Sequence, residues 1–272
     1  MEKENTGVNQ RDLGILYDGV GAILMEQGRE ENFRRALEMY ERSLEIQEEL
    51  VKKEGTSESQ GELSISYMRI GDVLMEQGGE ENFKKVLEMY ERSLEIQEEL
   101  VEKEGTSEKQ RDLCISYDKV GGILSKQGGE ENLKKALELY SRSLEISKEL
   151  VEKEGTSESW RDLSISYDNV GDILLQQGGG ENLKRALELY SRGLEISKEL
   201  VEKEGTNESW RDLTVSLYKL SKHPLSAPDI RRRYLERLCS VSEKLYQQEK
   251  SREYQQIIEF AQAELKKMTQ EV

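Results

Sequence analysis

The 272-residue chain is poor in the residues from which catalytic sites, metal sites and disulfide frameworks are built. It has one histidine, two cysteines, two prolines and two tryptophans. Cys114 and Cys239 follow no repeated cysteine spacing, which excludes a disulfide framework and a paired-cysteine zinc site and favours a reducing compartment. His223 precedes a proline, as a loop residue does, and no nucleophile or phosphate-loop motif accompanies it. We therefore expect no catalytic residues, no cofactor and no metal.

Long apolar stretches are also missing. The sequence contains no run of about 18 apolar residues, the length that a membrane-spanning helix requires. The polar start MEKENTGVNQ lacks the apolar segment of a signal peptide. These two features predict a protein without a membrane span and with a cytoplasmic location.

Positive charge is scarce relative to negative charge. The chain has 40 Lys and Arg against 56 Asp and Glu, a net charge of −16. Residues 1–221 carry 30 basic against 48 acidic side chains, whereas residues 222–272 carry 10 against 8. A negative field repels nucleic acid and anionic membrane surfaces, so neither is expected as a partner, and it favours basic proteins. The alternative, that acidity only keeps an elongated protein in solution, stays open.

What the chain has in abundance is repetition. LEISKELVEKEGT occurs at residues 144–156 and again at 194–206, and close variants begin at residues 44 and 94. The period is 50 residues, and the segments 101–150 and 151–200 are identical at 40 positions. A fixed period of this length predicts a stack of similar units, each of which buries its apolar surface against its neighbours.

Each repeat has the pattern of two helices. Apolar residues at i, i+3, i+4 and i+7 predict a helix A, and a second apolar stripe predicts a longer helix B. A QGG or QGR sequence ends helix A, while a Gly-Thr pair ends helix B and begins the next helix A. Helices A are predicted at residues 8–27, 57–77, 107–127 and 157–177, each followed by a helix B.

These residues resemble the tetratricopeptide repeat, a helical hairpin of 34 residues. That family has an aromatic, an apolar residue and glycine on helix A, and alanine, an aromatic and a small residue on helix B. The fourth copy matches with Tyr167, Val170, Gly171, Ala186, Tyr190 and Gly193. The first and third copies match equally, and in the second copy Val86 replaces the alanine. A longer turn and a longer helix B account for the period of 50.

The resemblance implies an all-α fold. The expected architecture is a right-handed superhelical α-solenoid of antiparallel helix hairpins, similar to long-helix versions of the repeat in bacterial multi-repeat proteins. The register fails after Leu220, where SKHPLSAPD brings both prolines. Residues 227–249 and 251–269 still carry helical apolar stripes. We therefore predict a solenoid at 1–221, with four repeats and the first helix of a fifth, and C-terminal capping helices at 222–272.

The resemblance places a binding site on the concave surface made by helices A. The matching positions combine carboxylates with aliphatic and methionine side chains. They are Ile15, Asp18, Ala22, Met25 and Glu26; Ile65, Met68, Asp72, Met75 and Glu76; Ile115, Asp118, Gly122, Ser125 and Lys126; and Ile165, Asp168, Asp172, Leu175 and Gln176. Four of these five positions differ between copies, which fits either specialised binding or relaxed surface drift.

An acidic surface with aliphatic anchors suits a basic, partly apolar peptide or protein segment. The first functional hypothesis is therefore a non-enzymatic scaffold for protein interactions. Two alternatives stay open. The chain is either a regulatory or sensor segment of a larger signalling assembly, or a protein whose near-identical repeats associate end to end.

Overall fold

The structure is a computed structural model in which the backbone is described for residues 2–270 and the side chains for residues 10–79 and 81–270. Over residues 2–270 the chain forms eleven α-helices and no strand, which confirms the predicted all-α class. The helices are α1 (Glu2–Glu26), α2 (Glu30–Glu54), α3 (Ser57–Gln77), α4 (Glu80–Glu104), α5 (Ser107–Gln127), α6 (Glu130–Glu154), α7 (Ser157–Gln177), α8 (Gly180–Glu204), α9 (Asn207–Lys222), α10 (Pro228–Glu249) and α11 (Arg252–Gln270). None of these helices is both long and apolar enough to cross a membrane.

The helix boundaries follow the Gly-Thr pairs of the sequence. Thr156 is the N-cap of α7, and its side chain accepts a hydrogen bond of 3.1 Å from the backbone N–H of Ser159. Gly205 ends α8 in the left-handed conformation, with φ 62° and ψ 18°. The predicted second, third and fourth helices A coincide with α3, α5 and α7, while the first begins earlier than predicted, at Glu2. Each Gly-Thr pair thus ends one helix and begins the next.

The turn between α7 and α8 uses glycine in another way. Gly178 has φ 69° and ψ −166°, and Gly179 has φ 84° and ψ 146°. This is not the left-handed helical conformation of Gly205, because ψ is extended although φ is positive. This part of backbone space is open essentially only to glycine. The paired glycines therefore let the chain leave α7 and enter α8 within two residues.

The chain divides into two compact units, residues 1–139 and residues 140–272, and α6 crosses the boundary between them. In the first unit, α1 to α5 pack in chain order, each helix on the next. In the second unit, α7 to α11 do the same. Packing between consecutive helices is the property of a helical repeat, in which each element is stabilised by its neighbours in the sequence.

In the hairpins α1–α2, α3–α4 and α7–α8 a tyrosine packs directly on a glycine. A Cβ atom at Gly171 would lie 2.6 Å from the ring of Tyr190, and Gly71 meets the ring of Tyr90 in the same way. Both tyrosines are buried. These glycines are helical, so the reason for glycine is the close approach of the second helix and not an unusual backbone angle.

After α9, two further helices continue the packing. Leu235, Leu238 and Leu245 of α10 are fully buried, and α11 packs on α10. The two helices begin one residue later than predicted. His223 is buried at the end of α9, where its Nδ1 accepts a hydrogen bond of 3.2 Å from the backbone N–H of Leu225. The histidine thus has the loop position that the sequence indicated.

Candidate functional site: the face of the A helices

The candidate site lies on α1, α3 and α5 of the first unit and on α7 and α9 of the second. We call these five helices the A helices. Residues 50 apart occupy the same position on these helices. Side chains three, four or seven residues apart share one side of a helix. We call the side that carries Ile15, Asp18, Ala22, Met25, Glu26 and their equivalents in the other repeats the A face.

An aliphatic side chain is exposed at the same position of every A helix. The exposed fractions are 57% for Ile15, 41% for Ile65 and 47% for Ile115 in the first unit, and 47% for Ile165 and 48% for Val215 in the second. The methionines Met25, Met68 and Met75, together with Leu175, are half-buried, whereas Glu26, Glu76, Lys126 and Gln176 are exposed. The predicted apolar anchors are therefore accessible at the surface, and some of the predicted charges are as well.

Two aspartates of the A face in residues 1–139, Asp18 and Asp72, pair with cations of the next A helix. Asp18 of α1 forms an ion pair with Arg69 of α3. Asp72 of α3 accepts a hydrogen bond of 2.5 Å from Lys119 of α5 and another of 2.5 Å from the Tyr90 hydroxyl. These contacts link successive A helices. Asp118 occupies the same position on α5 as Asp18 on α1 and is half-buried.

The second unit repeats this arrangement. Lys219 of α9 lies 2.8 Å from Asp172 and 3.4 Å from Asp168, both on α7. The Tyr190 hydroxyl donates a hydrogen bond of 2.6 Å to Asp172. Burial and the neighbouring Asp172 carboxylate raise the pKa of Tyr190 well above its ordinary value, so the hydroxyl keeps its proton and donates.

Asp168 is the most enclosed carboxylate of the A face. It is buried, and its Oδ1 accepts no hydrogen bond from any residue that the structure describes. Burial raises the pKa of Asp168 to about 6, although the Lys219 ammonium acts in the opposite direction. One lysine is shared by two carboxylates, so it compensates the buried charge only in part. Asp168 is thus a buried carboxylate whose charge is only partly compensated, and not a solvated contact point.

The pairing between A helices explains part of the variation between copies. Asp72 and Asp172 are each followed, 47 residues later, by the lysine that contacts them. Gly122 stands at their position in the third copy and is followed at the same interval by the uncharged Asn169. The second, third and fourth copies thus have either both charges or neither, while in the first copy Ala22 is followed by Arg69, which pairs with Asp18 instead. Some of the variation that suggested specialised binding is therefore accounted for by contacts between repeats.

The last A helix departs from the acidic pattern. At the positions of Asp168 and Asp172, α9 has Tyr218 and Lys222. Sequence reasoning compared only four copies of the A face and missed these residues. The signal was present, because TNESWRDL starts the fifth copy in the register of the other four. An acidic residue is thus replaced by an aromatic one at the first position and by a cation at the second.

Tyr218 and Lys222 line a cleft of about 880 Å³ in the second unit. Its walls come mainly from α7, α9 and α11, and the rings of Tyr218 and Phe260 lie 5.1 Å apart. Of the predicted site residues, Asp172 and Leu175 border this cleft. Its apolar lining comes from Leu175, Val215, Ile257 and Phe260. The volume lies within the usual range for ligand sites in proteins.

The A face brings like groups together, whereas catalysis needs unlike groups that converge on one reacting atom. The carboxylates of Asp18, Asp72 and Asp172 are held by lysine, arginine or tyrosine side chains. Within the part of the chain that the structure describes, no three His, Cys, Asp or Glu side chains are grouped so that they could hold a metal ion. The arrangement suits recognition of another surface.

No family model matches the chain, and no curated protein matches its sequence. Solved structures do match its fold. BtubC (BKLC) from P. vanneervenii is 18% identical, with a TM-score of 0.64 over 86% of this chain and 82% of BtubC. The apo form of RapI is 19% identical, with a TM-score of 0.57 over 92% of this chain and 64% of RapI.

A third structure is a Signal Transduction ATPase with Numerous Domains from Pyrococcus horikoshii, which has a tetratricopeptide repeat sensor. It is 16% identical, with a TM-score of 0.55 over 94% of this chain and 36% of the ATPase. At these identities the three matches establish a helical-repeat fold.

Proposed function

We propose that the protein is a non-enzymatic interaction scaffold whose A face binds a protein segment with aliphatic and basic side chains. The observation that carries this proposal is the aliphatic residue exposed at the same position of every A helix, from Ile15 to Val215. An apolar side chain that is exposed at the same position of successive helices favours a protein partner, since water alone would favour a polar residue there. The half-buried Met25, Met68 and Met75 lie on the same face and adapt to the shape of a partner.

The charge of the repeats favours a basic partner. Glu26 and Glu76 are exposed on the A face and form no ion pair with any described residue. Asp18 and Asp72, in contrast, already bind Arg69 and Lys119. In this proposal the glutamates contact the cations of the partner, and the paired aspartates hold the A helices in place.

The repeat itself is proposed to be a long-period variant of the tetratricopeptide repeat. The tyrosine-on-glycine contact of the first, second and fourth hairpins occurs where that resemblance places an aromatic and a glycine. The ATPase from Pyrococcus horikoshii has its tetratricopeptide repeats as a sensor, which supports a recognition role for this fold.

A peptide array tests the proposed partner chemistry. The purified protein is expected to enrich peptides that combine Lys or Arg with Ile, Leu or Val, and a Glu26→Lys, Glu76→Lys variant is expected to lose them. Lys85→Glu, on the exposed side of α4, is the control for a general charge effect. Enrichment of acidic peptides by the unmodified protein, or equal binding by the charge-reversed variant, would overturn the proposal.

A second candidate function is association between copies. Leu13, Leu16, Val20 and Ile23 of α1 follow i, i+3, i+7 and i+10 spacing and are 43% to 64% exposed. The equivalents of Val20 and Ile23 on α3 are Ile70 and Val73, and both are buried in the helix that packs on α2. A helix from a second copy would cover the α1 stripe in the same manner.

Light scattering at several concentrations tests this association. The mass of the unmodified protein is expected to rise with concentration, and a Leu16→Glu, Val20→Glu variant is expected to stay a monomer. A constant mass of the unmodified protein over the whole range would exclude the second candidate.

A further inference from the structure

We propose that the cleft of the second unit binds an extended segment with a carboxylate at one end, apolar side chains in the middle and a basic side chain at the other end. The inference depends on the proposed function in one respect, namely that the protein binds segments of other proteins. It assigns to the cleft a ligand whose charge pattern differs from that of the rest of the A face.

The cleft is elongated, which favours an extended segment over a single side chain. Arg211 Nε donates a hydrogen bond of 3.0 Å to the Tyr254 hydroxyl near the start of α9 and α11. Further along both helices, Tyr218 contacts Phe260. The two helices therefore run side by side in the same direction. From Arg211 to Lys222, α9 advances by about 16 Å, which an extended segment spans with about five residues.

The middle of the cleft is apolar. Val215 is exposed on α9, and Ile257 and Phe260 of α11 lie opposite it in the lining. Leu175 of α7 contributes a further aliphatic side chain. Lys219 also lines this part, but its ammonium is held by Asp168 and Asp172. The central part of a bound segment therefore meets aliphatic and aromatic surface and favours apolar side chains.

One end of the cleft carries an unpaired positive charge. Lys222 donates a hydrogen bond of 3.1 Å to the Tyr218 hydroxyl, and its ammonium lies 4.9 Å from the Tyr218 ring centroid and 5.9 Å from that of Phe260. It forms no ion pair with any carboxylate in the described part of the chain. Asp72 and Asp172 occupy this position in two other repeats, so the charge is reversed here. A carboxylate is the ligand group that complements Lys222.

The other end of the cleft carries an unpaired negative charge. Glu253, in the first turn of α11, is exposed and lines the cleft beside Tyr254, which contacts Arg211. Among the described residues Glu253 has no cation partner, whereas Glu249 lies 2.7 Å from Arg211 and is paired. A lysine or arginine of the ligand complements Glu253. Opposite charges at the two ends also fix the direction in which a segment binds.

Charge-swap titrations of short peptides test the inference. The probes are the fluorescein-labelled peptide Lys-Ala-Leu-Phe-Glu and its reversed sequence, both with blocked ends so that chain termini carry no charge. One of the two orders is expected to bind at least fivefold more tightly than the other. Lys222→Glu is expected to weaken that binding at least tenfold, and replacing the peptide Glu by Lys is expected to restore it.

The controls separate the cleft from the rest of the A face. Lys198→Glu changes an exposed lysine on α8, outside the A face and the cleft, and is expected to leave the affinity unchanged. Glu253→Lys is expected to be rescued by a peptide in which Lys is replaced by Glu. Equal binding by the unmodified protein and Lys222→Glu, or binding only when the peptide has a free terminal carboxylate, would overturn the inference.

The same peptides distinguish a failure of this inference from a failure of the proposed function. An Ile15→Ser, Ile65→Ser, Ile115→Ser variant changes only the first unit, and the cleft peptide is expected to bind it normally. If the array of basic, aliphatic peptides fails while the charge swap succeeds, the A-face partner is wrong and the cleft stands. The opposite result would overturn the cleft alone.

Discussion

The A face differs between the two compact units. In residues 1–139 Asp18 and Asp72 are paired with cations of the next A helix, and isoleucines of the same face are exposed. In residues 140–272, α7 keeps this arrangement, but α9 has Tyr218 and Lys222 in place of the aspartates and lines a cleft. Where a further repeat follows, an aspartate of the A face can therefore pair with a cation of the next A helix, as Asp18, Asp72 and Asp172 do. Where the register stops, the same position is open to a different chemistry.

The largest effect on stability is expected at the repeat position that Leu16 and Ser166 share, where each residue is replaced by the other. Ser166 on α7 is buried, and its Oγ lies 2.9 Å from Ser147 Oγ. Ser166→Leu overfills this site and leaves the Ser147 hydroxyl without that partner, so the free energy of unfolding should fall by roughly 2–4 kcal/mol. Urea denaturation measures the change.

The matched control for Ser166→Leu is the opposite exchange on α1. Leu16 occupies the same repeat position and is 64% exposed. Leu16→Ser should change the free energy of unfolding by less than about 0.5 kcal/mol. Similar losses in the two variants would contradict the claim that this position is exposed on α1 but buried on an A helix that follows another repeat.

The next effect concerns the tyrosine-on-glycine contact. Gly171→Ala places a Cβ atom 2.6 Å from the Tyr190 ring and should cost about 1–3 kcal/mol of unfolding free energy. Gly19→Ala is the control, because a Cβ atom there meets nothing within 4 Å. It should stabilise α1 by up to about 1 kcal/mol, since alanine favours the helix. Destabilisation of equal size at both positions would exclude the packing explanation.

A smaller effect depends on pH. Burial raises the pKa of Asp168 to about 6, above the value near 4 of an unfolded chain. The folded protein therefore binds the extra proton more tightly, and this group lowers stability as pH rises from about 4 to 6. Asp168→Asn imitates the protonated form and should be more stable than the unmodified protein by about 1–2 kcal/mol at pH 7.

Urea midpoints at pH 4, 5, 6 and 7 check the effect of Asp168→Asn. The difference from the unmodified protein should close at pH 4, because the buried carboxyl of the latter is then protonated. A variant that is less stable than the unmodified protein at pH 7 would show that the ion pair with Lys219 outweighs the burial of Asp168.

The smallest effect is expected for the pair that joins α3 to α5. The side chains of Asp72 and Lys119 are 41% and 37% exposed, so solvent screens their attraction. A double-mutant cycle with Asp72→Ala and Lys119→Met should give a coupling of about 0.2–1 kcal/mol that decreases with added salt. No coupling at low salt would mean that this contact does not link the two helices.

Much of the fold could be predicted because each repeat gives the same local signals again. Thr156 and Gly205 mark helix ends through their own backbone and side-chain preferences, which need no tertiary contact. The glycine turn at 178–179 was harder, because the sequence shows that glycine is needed but not which ψ angle the packing of α8 selects. The repeat pattern stops after Leu220. This indicated where the last two helices lie in the sequence, but it did not indicate the cleft beside them.

The candidate site was predicted only in part. The spacing of Ile15, Asp18 and Ala22 identifies one side of a helix. It does not show that Asp72 binds Lys119, because these residues are 47 positions apart and lie on different helices. The absence of both charges at Gly122 and Asn169 was a signal for that pairing, but the first copy, with Ala22 and Arg69, does not follow it. The approach of α11 to α9 left no periodic signal, since residues 222–272 do not repeat.

The most direct test of the proposed function removes the exposed aliphatic residues of the first unit. Isothermal titration of the best array peptide compares the unmodified protein with the Ile15→Ser, Ile65→Ser, Ile115→Ser variant. A Leu225→Ser, Ile230→Ser variant, which changes exposed aliphatic residues outside the A face, is the control. We expect at least a tenfold loss of affinity in the triple variant alone, with an unchanged circular dichroism spectrum. Equal affinity in all three proteins would contradict the A face as the binding surface.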